Sequence, residues 1–198
     1  HPAPAAFDDC LAVWRQMIVR AEVLRLDATK ILLYGESAGG ALAAGMAQQL
    51  LAECDVRPVG QLLIYPVLDD RCGRYASMEQ SVDVAWPRSS NEQMWREYLR
   101  DITSPAAPLV PLRTDYSALA GLPPAYIEPQ EIDILHDEAV TYAEALTAAG
   151  ITVQLNEVSG SYHGFDAESD NAFVSRVIQR RLCAMKTMLE SSSRQPRP

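Results

Sequence analysis

The serine with the clearest chemical context is Ser37, which stands in the middle of a Gly-x-Ser-x-Gly pattern at residues 35–39. The apolar run 31–34 before it predicts a strand, and the Ala-rich segment 41–50 after it predicts a helix. A sharp strand-to-helix turn holds a serine exposed at the edge of a sheet, above a helix N-terminus that favours negative charge. The pattern therefore predicts that Ser37 is a nucleophile for acyl transfer. The alternative is a Gly-rich loop in which the serine has no catalytic role.

A nucleophilic serine needs a general base, and the chain offers His1, His136 and His163. His163 comes after residues 151–156, where apolar and polar residues alternate as in a half-buried strand. Open α/β sheets carry their chemistry on loops just past the carboxyl ends of strands, so His163 is the predicted base. His1 is a terminal residue, and His136, at the start of a predicted helix, is interpreted as a solvated or capping residue.

The third member of such a site is a carboxylate that accepts a hydrogen bond from the imidazole and fixes its tautomer. Asp133 is the predicted acid, because it follows the apolar run 125–127 and precedes a helix that begins near Asp137. Glu131 is the nearest alternative, whereas Asp137 fits the cap or first turn of that helix. The order serine, acid, histidine along the chain is the order of the α/β-hydrolase fold.

The elements that must position these residues alternate between strand and helix. The predicted strands are residues 31–34, 60–65, 124–128 and 151–156, and the predicted helices are a first one capped by Asp8 or Asp9 that ends near Leu24, then 38–53, 137–150 and 171–189. Such alternation predicts an α/β fold with a mostly parallel sheet and helices on both of its faces.

Together these motifs resemble the hormone-sensitive-lipase-like esterases of the α/β-hydrolase superfamily, often called bacterial family IV. The resemblance runs from residue 1 to about 190 and rests on residues 1–9, 35–40, 61–69, 121–138 and 162–165. It implies that Ser37, Asp133 and His163 form a catalytic triad and that the backbone N–H of Ala38 belongs to the oxyanion hole. It also implies small carboxylic esters as substrates, with neither a metal nor an organic cofactor.

One motif of that family, His-Gly-Gly-Gly, does not occur in this sequence. Its N–H groups form most of the oxyanion hole, so the resemblance implies an N-terminally truncated chain that lacks several strands and part of the cap. Loss of one oxyanion donor costs on the order of a hundred- to a thousandfold in rate, so little activity is expected of this chain alone. Residues 31–34 would then be an exposed sheet edge that promotes self-association.

Residues 69–118 interrupt the alternation of strands and helices, and connections of that length are usually functional. The resemblance makes this segment a cap insertion between core segments 1–68 and 119–190, with 191–198 as a flexible tail. A short helix capped by Asn91 is predicted inside the insertion. The candidate pocket residues are Glu36, Trp86, Met94, Trp95 and Tyr98. The alternative for the aromatic residues and Met94 is packing of the cap onto the core.

Composition narrows the classes of function further. The net charge of -9 disfavours nucleic acid and anionic membranes as partners, and no apolar run is long enough to span a bilayer. The four cysteines, Cys10, Cys54, Cys72 and Cys183, have no metal-site spacing and are interpreted as mostly buried thiols of a cytoplasmic protein. The expected partner is a small ester, with a homodimer left open. Rival functions are an amidase or carbamate hydrolase, a receptor-like protein, and a nearly inactive truncated homologue.

Overall fold

The computed structural model describes residues 1–53, 55–79, 85–167 and 171–192, and within these it contains six α-helices and six strands. The helices are α1 (Ala5–Val19), α2 (Ala21–Leu24), α3 (Ala38–Glu53), α4 (Arg88–Tyr98), α5 (His136–Ala148) and α6 (Ala172–Ser192). The strands are β1 (Leu32–Glu36), β2 (Gly60–Ile64), β3 (Ala125–Glu128), β4 (Gln130–Ile132), β5 (Val153–Leu155) and β6 (Val158–Tyr162). Cys54 and the end of the predicted tail, residues 193–198, lie outside the described residues.

A parallel sheet of four strands in the order β1-β2-β3-β5 forms the centre of the structure. Every residue of β2 is buried, as expected for a strand that is paired on both edges and covered on both faces. At the carboxyl ends of the strands, Glu36 of β1 pairs with Ile64 of β2, and Ile64 pairs with Glu128 of β3. The α/β prediction is confirmed, and the strand ends lie level at one rim of the sheet.

Helices cover both faces of this sheet. Successive strand residues point to opposite faces, so each strand contacts the helices on both sides. Leu62 and Ile64 face α6, where they pack with Tyr126, Ala184, Met185 and Met188. Leu63 faces the opposite way, into a cluster that includes Ala43, Ala44 and Ala47 of α3 and Tyr142 and Leu146 of α5. The small side chains of α3 allow its backbone to approach the sheet closely. A Cβ added to Gly45 of this helix would lie 2.2 Å from the Pro108 carbonyl oxygen.

A second, two-stranded parallel sheet, β4 paired with β6, is not among the predicted elements. The loop expected between the predicted strand 151–156 and His163 is for the most part a strand, Val158–Tyr162. The predicted strand at residues 151–156 is correct in position, although β5 is shorter and Leu155 is exposed at the edge of the sheet. The half-buried character predicted for its apolar face therefore holds for Ile151 and Val153 only.

Several helix boundaries differ from the predictions, and the first helix, predicted to end near Leu24, is divided at Arg20 into α1 and α2. Helix α1 begins at Ala5 after Pro4, so Asp8 lies in its first turn and neither Asp8 nor Asp9 caps it. Helix α4 begins at Arg88, and the predicted cap, Asn91, is buried within the helix. The Asn91 side chain is used for tertiary bonds instead: its Oδ1 accepts the Trp86 indole N–H at 3.2 Å, and its Nδ2 contacts the Cys72 sulfur at 3.4 Å. Helix α6 continues to Ser192, into the predicted tail.

The predicted insertion packs against the rim of the core. Trp95 of α4 is buried in a cluster with Val67, Cys72, Met78, Val110, Ile134 and Leu135. Residues 80–84 of this segment lie outside the described residues, and the limits 69–118 stay a prediction. Of the three described cysteines, Cys72 is buried, Cys10 is half-buried and Cys183 is exposed. The expectation of mostly buried thiols is therefore wrong for Cys183, which lies on the outward face of α6.

Candidate active site

The three residues predicted to do chemistry each follow a strand directly. Ser37 follows β1, Asp133 follows β4 and His163 follows β6. Ser37 Oγ lies 2.9 Å from His163 Nε2, and His163 Nδ1 lies 2.8 Å from Asp133 Oδ2. The structure therefore brings the three predicted side chains together in one hydrogen-bonded chain. With Nε2 unprotonated toward the hydroxyl and Nδ1–H donating to the carboxylate, this chain can remove a proton from Ser37.

Ser37 occupies a strained turn between β1 and α3. Its φ of 54° is in the left-handed region, which is uncommon for a residue with a side chain. Two tertiary backbone bonds hold it there: its N–H donates to the Ile64 carbonyl at 2.9 Å, and its carbonyl accepts from the Val67 N–H at 3.1 Å. Ala38 begins α3, where N–H groups have no acceptor within the helix. The turn thus presents a hydroxyl beside free backbone donors.

The two outer glycines of the pattern differ in the space around them. A Cβ on Gly35 would lie 2.0 Å from the Gly39 carbonyl oxygen and 2.7 Å from the Gly40 nitrogen, whereas a Cβ on Gly39 would meet nothing within 4 Å. We expect Gly35→Ala to lower the free energy of unfolding by about 1–3 kcal/mol or more, because backbone must move. Gly39→Ala is the matched control and should change it little. Urea denaturation measures both, and equal losses would contradict this account of the turn.

The β4–β6 pair places the acid beside the histidine. Ile132 is the register partner of Tyr162, so the next residues, Asp133 and His163, leave neighbouring strands side by side. The side chain of Asp133 is 1% exposed and that of His163 is 11% exposed. The second carboxylate oxygen of Asp133 accepts the Leu135 N–H at 3.1 Å, which fixes the rotation of the carboxylate.

Glu131, the alternative acid, is directed elsewhere. It lies inside β4, and its carboxylate accepts the Gly160 N–H at 2.6 Å on the exposed side of β6. The choice between Glu131 and Asp133 therefore depends on which residue stands at the end of β4. The prediction of Asp133 did not depend on this strand, because β4 has only three residues and was not predicted.

His136, the competing histidine, is an ion-pair residue at the start of α5. Its Nδ1 lies 2.8 Å from Asp137 Oδ1, and its Nε2 lies 3.1 Å from Glu157 Oε2. Burial alone would lower the pKa of His136, but the hydrogen bonds to these two carboxylates outweigh burial and raise the pKa above its ordinary value. His136 therefore joins α5 to the segment before β6, and it does not cap the helix backbone.

The raised pKa of His136 predicts a pH dependence of stability. A folded-state pKa above the unfolded value of 6.5 means that the stabilisation is complete below that pH and is lost as pH rises through the folded pKa. We therefore expect His136→Gln to lower the free energy of unfolding more at about pH 6 than at about pH 9. Urea denaturation of both proteins at the two pH values measures the difference. A loss that is the same at both pH values would refute the prediction.

An apolar cavity of about 390 Å³ adjoins Ala38 and is the candidate substrate pocket. Met94, Trp95 and Tyr98 of α4 line it together with Leu42 and Val67. Trp86 does not line this cavity but stacks near the imidazole of His163, with ring centroids 6.1 Å apart. Trp95 also belongs to the buried cluster around Val67, as the packing interpretation predicts, and its role in a substrate pocket stays a prediction.

Contrary to the prediction, Glu36 does not line the candidate substrate pocket; it lines a second cavity. It follows Tyr34 at an interval of two along β1, so both side chains point to the α6 side of the sheet, where Tyr34 Oη donates to Glu36 Oε1. This second cavity, of about 400 Å³, is also lined by Tyr65, Asp166 and Arg181. Sequence reasoning missed these last three residues, which carry no local motif.

The described residues contain no cluster of three or more His, Cys, Asp or Glu side chains arranged to hold a metal ion. Among the same residues, none of the helices has both the length and the apolar character needed to cross a bilayer.

The sequence of this chain is similar to those of known proteins. A family described as having the alpha/beta hydrolase fold matches residues 1–167. The ethyl acetate hydrolase of Pseudomonas putida is 35% identical over 165 residues, which is 82% of this chain and 51% of that protein. The carboxylesterase NlhH of Mycobacterium tuberculosis is 35% identical over 171 residues, which is 83% of this chain and 52% of that protein. The chain thus spans about half the length of these relatives.

Solved structures give the same fold over nearly the whole chain. A bacterial heroin esterase superposes with a TM-score of 0.89 at 33% identity, covering 96% of this chain and 61% of that protein. The esterase LipW from Mycobacterium marinum superposes with a TM-score of 0.88 at 34% identity, covering 95% of this chain and 59% of that protein.

Proposed function

The chain belongs to the hormone-sensitive-lipase-like family of α/β hydrolases, and we propose that it is a serine hydrolase that cleaves short-chain carboxylic esters. Ser37 is the nucleophile, His163 the general base and acid, and Asp133 the residue that orients the imidazole. The observation that carries the proposal is the continuous hydrogen-bonded chain from Ser37 Oγ through both ring nitrogens of His163 to the Asp133 carboxylate. Relatives named as esterases support ester bonds as the target.

The reaction follows from this geometry in two halves. Ser37 Oγ attacks the ester carbonyl carbon while His163 Nε2 takes the hydroxyl proton, and the collapsing intermediate expels the alcohol, which receives that proton. Water then attacks the acyl-enzyme with His163 as the base, and the proton returns to Ser37 as the carboxylic acid leaves. The Asp133 carboxylate stabilises the imidazolium in both halves.

Two features support the choice of substrate. The Ala38 N–H, at the first residue of α3, is the backbone donor that we assign to the developing oxyanion, which the positive end of the helix dipole would also stabilise. The adjoining cavity of about 390 Å³ is lined mainly by apolar side chains and suits a small acyl group. A short-chain ester uses both features, with its carbonyl at Ala38 and its acyl chain beside Leu42 and Tyr98.

Covalent labelling tests the proposal most directly. A fluorophosphonate probe should label the native chain, and peptide mass spectrometry should locate the adduct on Ser37. Heat-denatured protein and the Ser37→Ala chain are the negative controls. Labelling at another serine, or equal labelling of native and denatured protein, would refute the role of Ser37.

Matched substrates separate the esterase from an amidase. p-Nitrophenyl acetate and p-nitroacetanilide carry the same acyl group on an ester and an amide bond. We expect hydrolysis of the ester only, and faster hydrolysis of acetate than of decanoate, in line with the relative named as an ethyl acetate hydrolase. Comparable rates on ester and amide would favour the amidase, and absence of labelling and turnover would favour a protein without catalytic activity.

A further inference from the structure

A buried ion cluster lies on the α6 side of the rim, next to the histidine of the proposed triad. Its centre is Arg181 of α6, which is 5% exposed. Arg181 Nη2 donates to Glu128 Oε1 at 2.6 Å, and Arg181 Nη1 donates to Asp166 Oδ2 at 2.5 Å. Glu128 is the last residue of β3 and is fully buried, and Asp166 belongs to the 3₁₀ turn Phe165–Ala167. The mechanism proposed above uses none of these three residues.

Arg181 and Glu128 form the anchor of this cluster, because further hydrogen bonds hold the Glu128 carboxylate in place. Besides Arg181, the Glu128 carboxylate accepts the Tyr126 hydroxyl at 2.6 Å and a Gln130 amide N–H at 3.3 Å. Burial alone would lower the pKa of Arg181, but its hydrogen bonds to Glu128 and Asp166 outweigh burial and raise the pKa. Arg181 therefore stays charged, and separating it from a carboxylate would leave a buried charge without a partner.

Asp166 connects this anchor to the segment that carries His163. It stands three residues after His163, and Gly164, with φ 73°, turns the chain between them. One Asp166 oxygen accepts from Arg181, and the other accepts the Tyr65 hydroxyl at 2.9 Å. The segment 163–166 is thus fixed at both ends, through Asp133 at one end and through Arg181 and Tyr65 at the other.

Tyr65 completes the connection by touching the imidazole. Its ring centroid lies 4.8 Å from that of His163, with the planes tilted by 60°. The Tyr65 backbone has φ 35°, a strained conformation for an aromatic residue, and its N–H donates to the Glu128 carbonyl at 2.8 Å. Burial and the Asp166 carboxylate both raise the pKa of Tyr65, so its hydroxyl remains a donor at neutral pH.

A neighbouring cavity leaves room for these side chains to move unless hydrogen bonds hold them in place. Tyr65, Gly164 and Asp166 all line the second cavity, which has a volume of about 400 Å³. Without Asp166, the Tyr65 hydroxyl keeps only its longer bond to Glu36 Oε2, at 3.4 Å, so the ring can move toward this cavity and away from the imidazole. We infer that Asp166 and Tyr65 are positioning residues that hold His163 Nε2 toward Ser37, with Arg181 as their anchor. This inference rests on the proposed function of the triad.

Two substitutions test the inference by different routes. Asp166→Ala removes the connection to Arg181, and Tyr65→Phe keeps the ring but removes its bond to Asp166. Displacing a catalytic group by about 1 Å can cost a hundredfold in rate, so we expect kcat to fall about a hundredfold in the first variant and about tenfold in the second. KM should stay within about threefold of the parent, since neither residue lines the candidate substrate pocket.

Asp70→Ala is the matched control. It removes an aspartate that makes a bidentate ion pair with Arg113, at 2.7 and 2.9 Å, instead of with the anchor Arg181. We expect this variant to keep the parent kcat. A loss of kcat in Asp70→Ala equal to that in Asp166→Ala would overturn the inference, because any lost ion pair would then have the same effect.

The leaving group gives a readout that a merely structural role would not move. p-Nitrophenolate leaves without a proton, whereas ethoxide must receive one from His163. A misplaced imidazole should therefore slow ethyl acetate hydrolysis at least several-fold more than p-nitrophenyl acetate hydrolysis in both variants. Equal losses on the two esters, after correction for the folded fraction by circular dichroism, would overturn the inference.

NMR follows the histidine independently of turnover. The Nδ1 proton of His163, hydrogen-bonded to Asp133, should give a low-field signal in the parent, assigned by its loss in His163→Gln. We expect the signal to weaken or exchange faster in Asp166→Ala and Tyr65→Phe, and an unchanged signal in both would overturn the inference. An unlabelled, inactive parent that still shows these NMR changes would refute the proposed function and leave the positioning role standing.

Discussion

His163→Gln should lower kcat by at least about a thousandfold and abolish fluorophosphonate labelling of Ser37. Glutamine is close to histidine in length and can hydrogen-bond the serine hydroxyl, but it cannot take the proton. Removing the base of a serine–histidine pair costs about as much as removing the whole triad. The residual rate should come from the oxyanion donors and substrate binding alone. Steady-state hydrolysis of p-nitrophenyl acetate and the rate of labelling measure the effect.

His136→Gln is the matched control for this substitution. His136 contacts two carboxylates, as His163 contacts one, but it lies at the start of α5 and bonds Asp137 and Glu157. Its replacement should leave kcat within about threefold of the parent while lowering stability near pH 6. A large loss of kcat in His136→Gln, or labelling that persists in His163→Gln, would mean that the base has been assigned to the wrong histidine.

Asp133→Asn should lower kcat by at least about a hundredfold with little change in KM. The amide keeps the shape of the carboxylate, but it cannot stabilise the imidazolium, and it favours the wrong tautomer of His163. The neighbouring Glu131→Gln is the control: its carboxylate bonds the Gly160 N–H instead of the imidazole, so kcat should change less than threefold.

A double variant shows whether Asp133 acts only through His163. Combined with His163→Gln, Asp133→Asn should add almost no further loss of kcat, because members of one catalytic unit are not additive. A full additional loss in the double variant would show that Asp133 acts on the reaction by another route. A loss in Glu131→Gln as large as that in Asp133→Asn would reverse the assignment of the acid.

Local sequence signals were sufficient for the turn that carries Ser37 and for most of the sheet. The Ser37 turn combines a strand, two glycines and a helix within about twenty residues, so its geometry is encoded where it occurs. Strands β1, β2 and β3 were predictable because each contains or adjoins a continuous apolar run. His163 was predictable from the position of its loop after an alternating segment, even though β6 intervenes between that segment and the loop.

What escaped prediction depends on tertiary contacts. Strands β4 and β6 are short, and β6 contains Gly160 and two serines, so neither has a strong strand signal of its own. Their pairing, which sets Asp133 beside His163, follows from the fold as a whole. Asn91 has the residue type of a helix cap, but its bonds to Trp86 and Cys72 determine its place inside α4. The Arg181 cluster joins three separate elements, so a linear pattern does not reveal it.

The distance in sequence between the reacting residues has a consequence for how the protein refolds. Ser37 and His163 are separated by 126 positions, and Asp133 and His163 by 30. Contacts this remote form only after loops close and parallel strands align, which makes them late events compared with helix formation. After dilution from denaturant, helical circular dichroism should therefore recover before reactivity toward the probe. The rate at which Ser37 regains reactivity toward the probe would then measure how fast the β4–β6 pair aligns with β1.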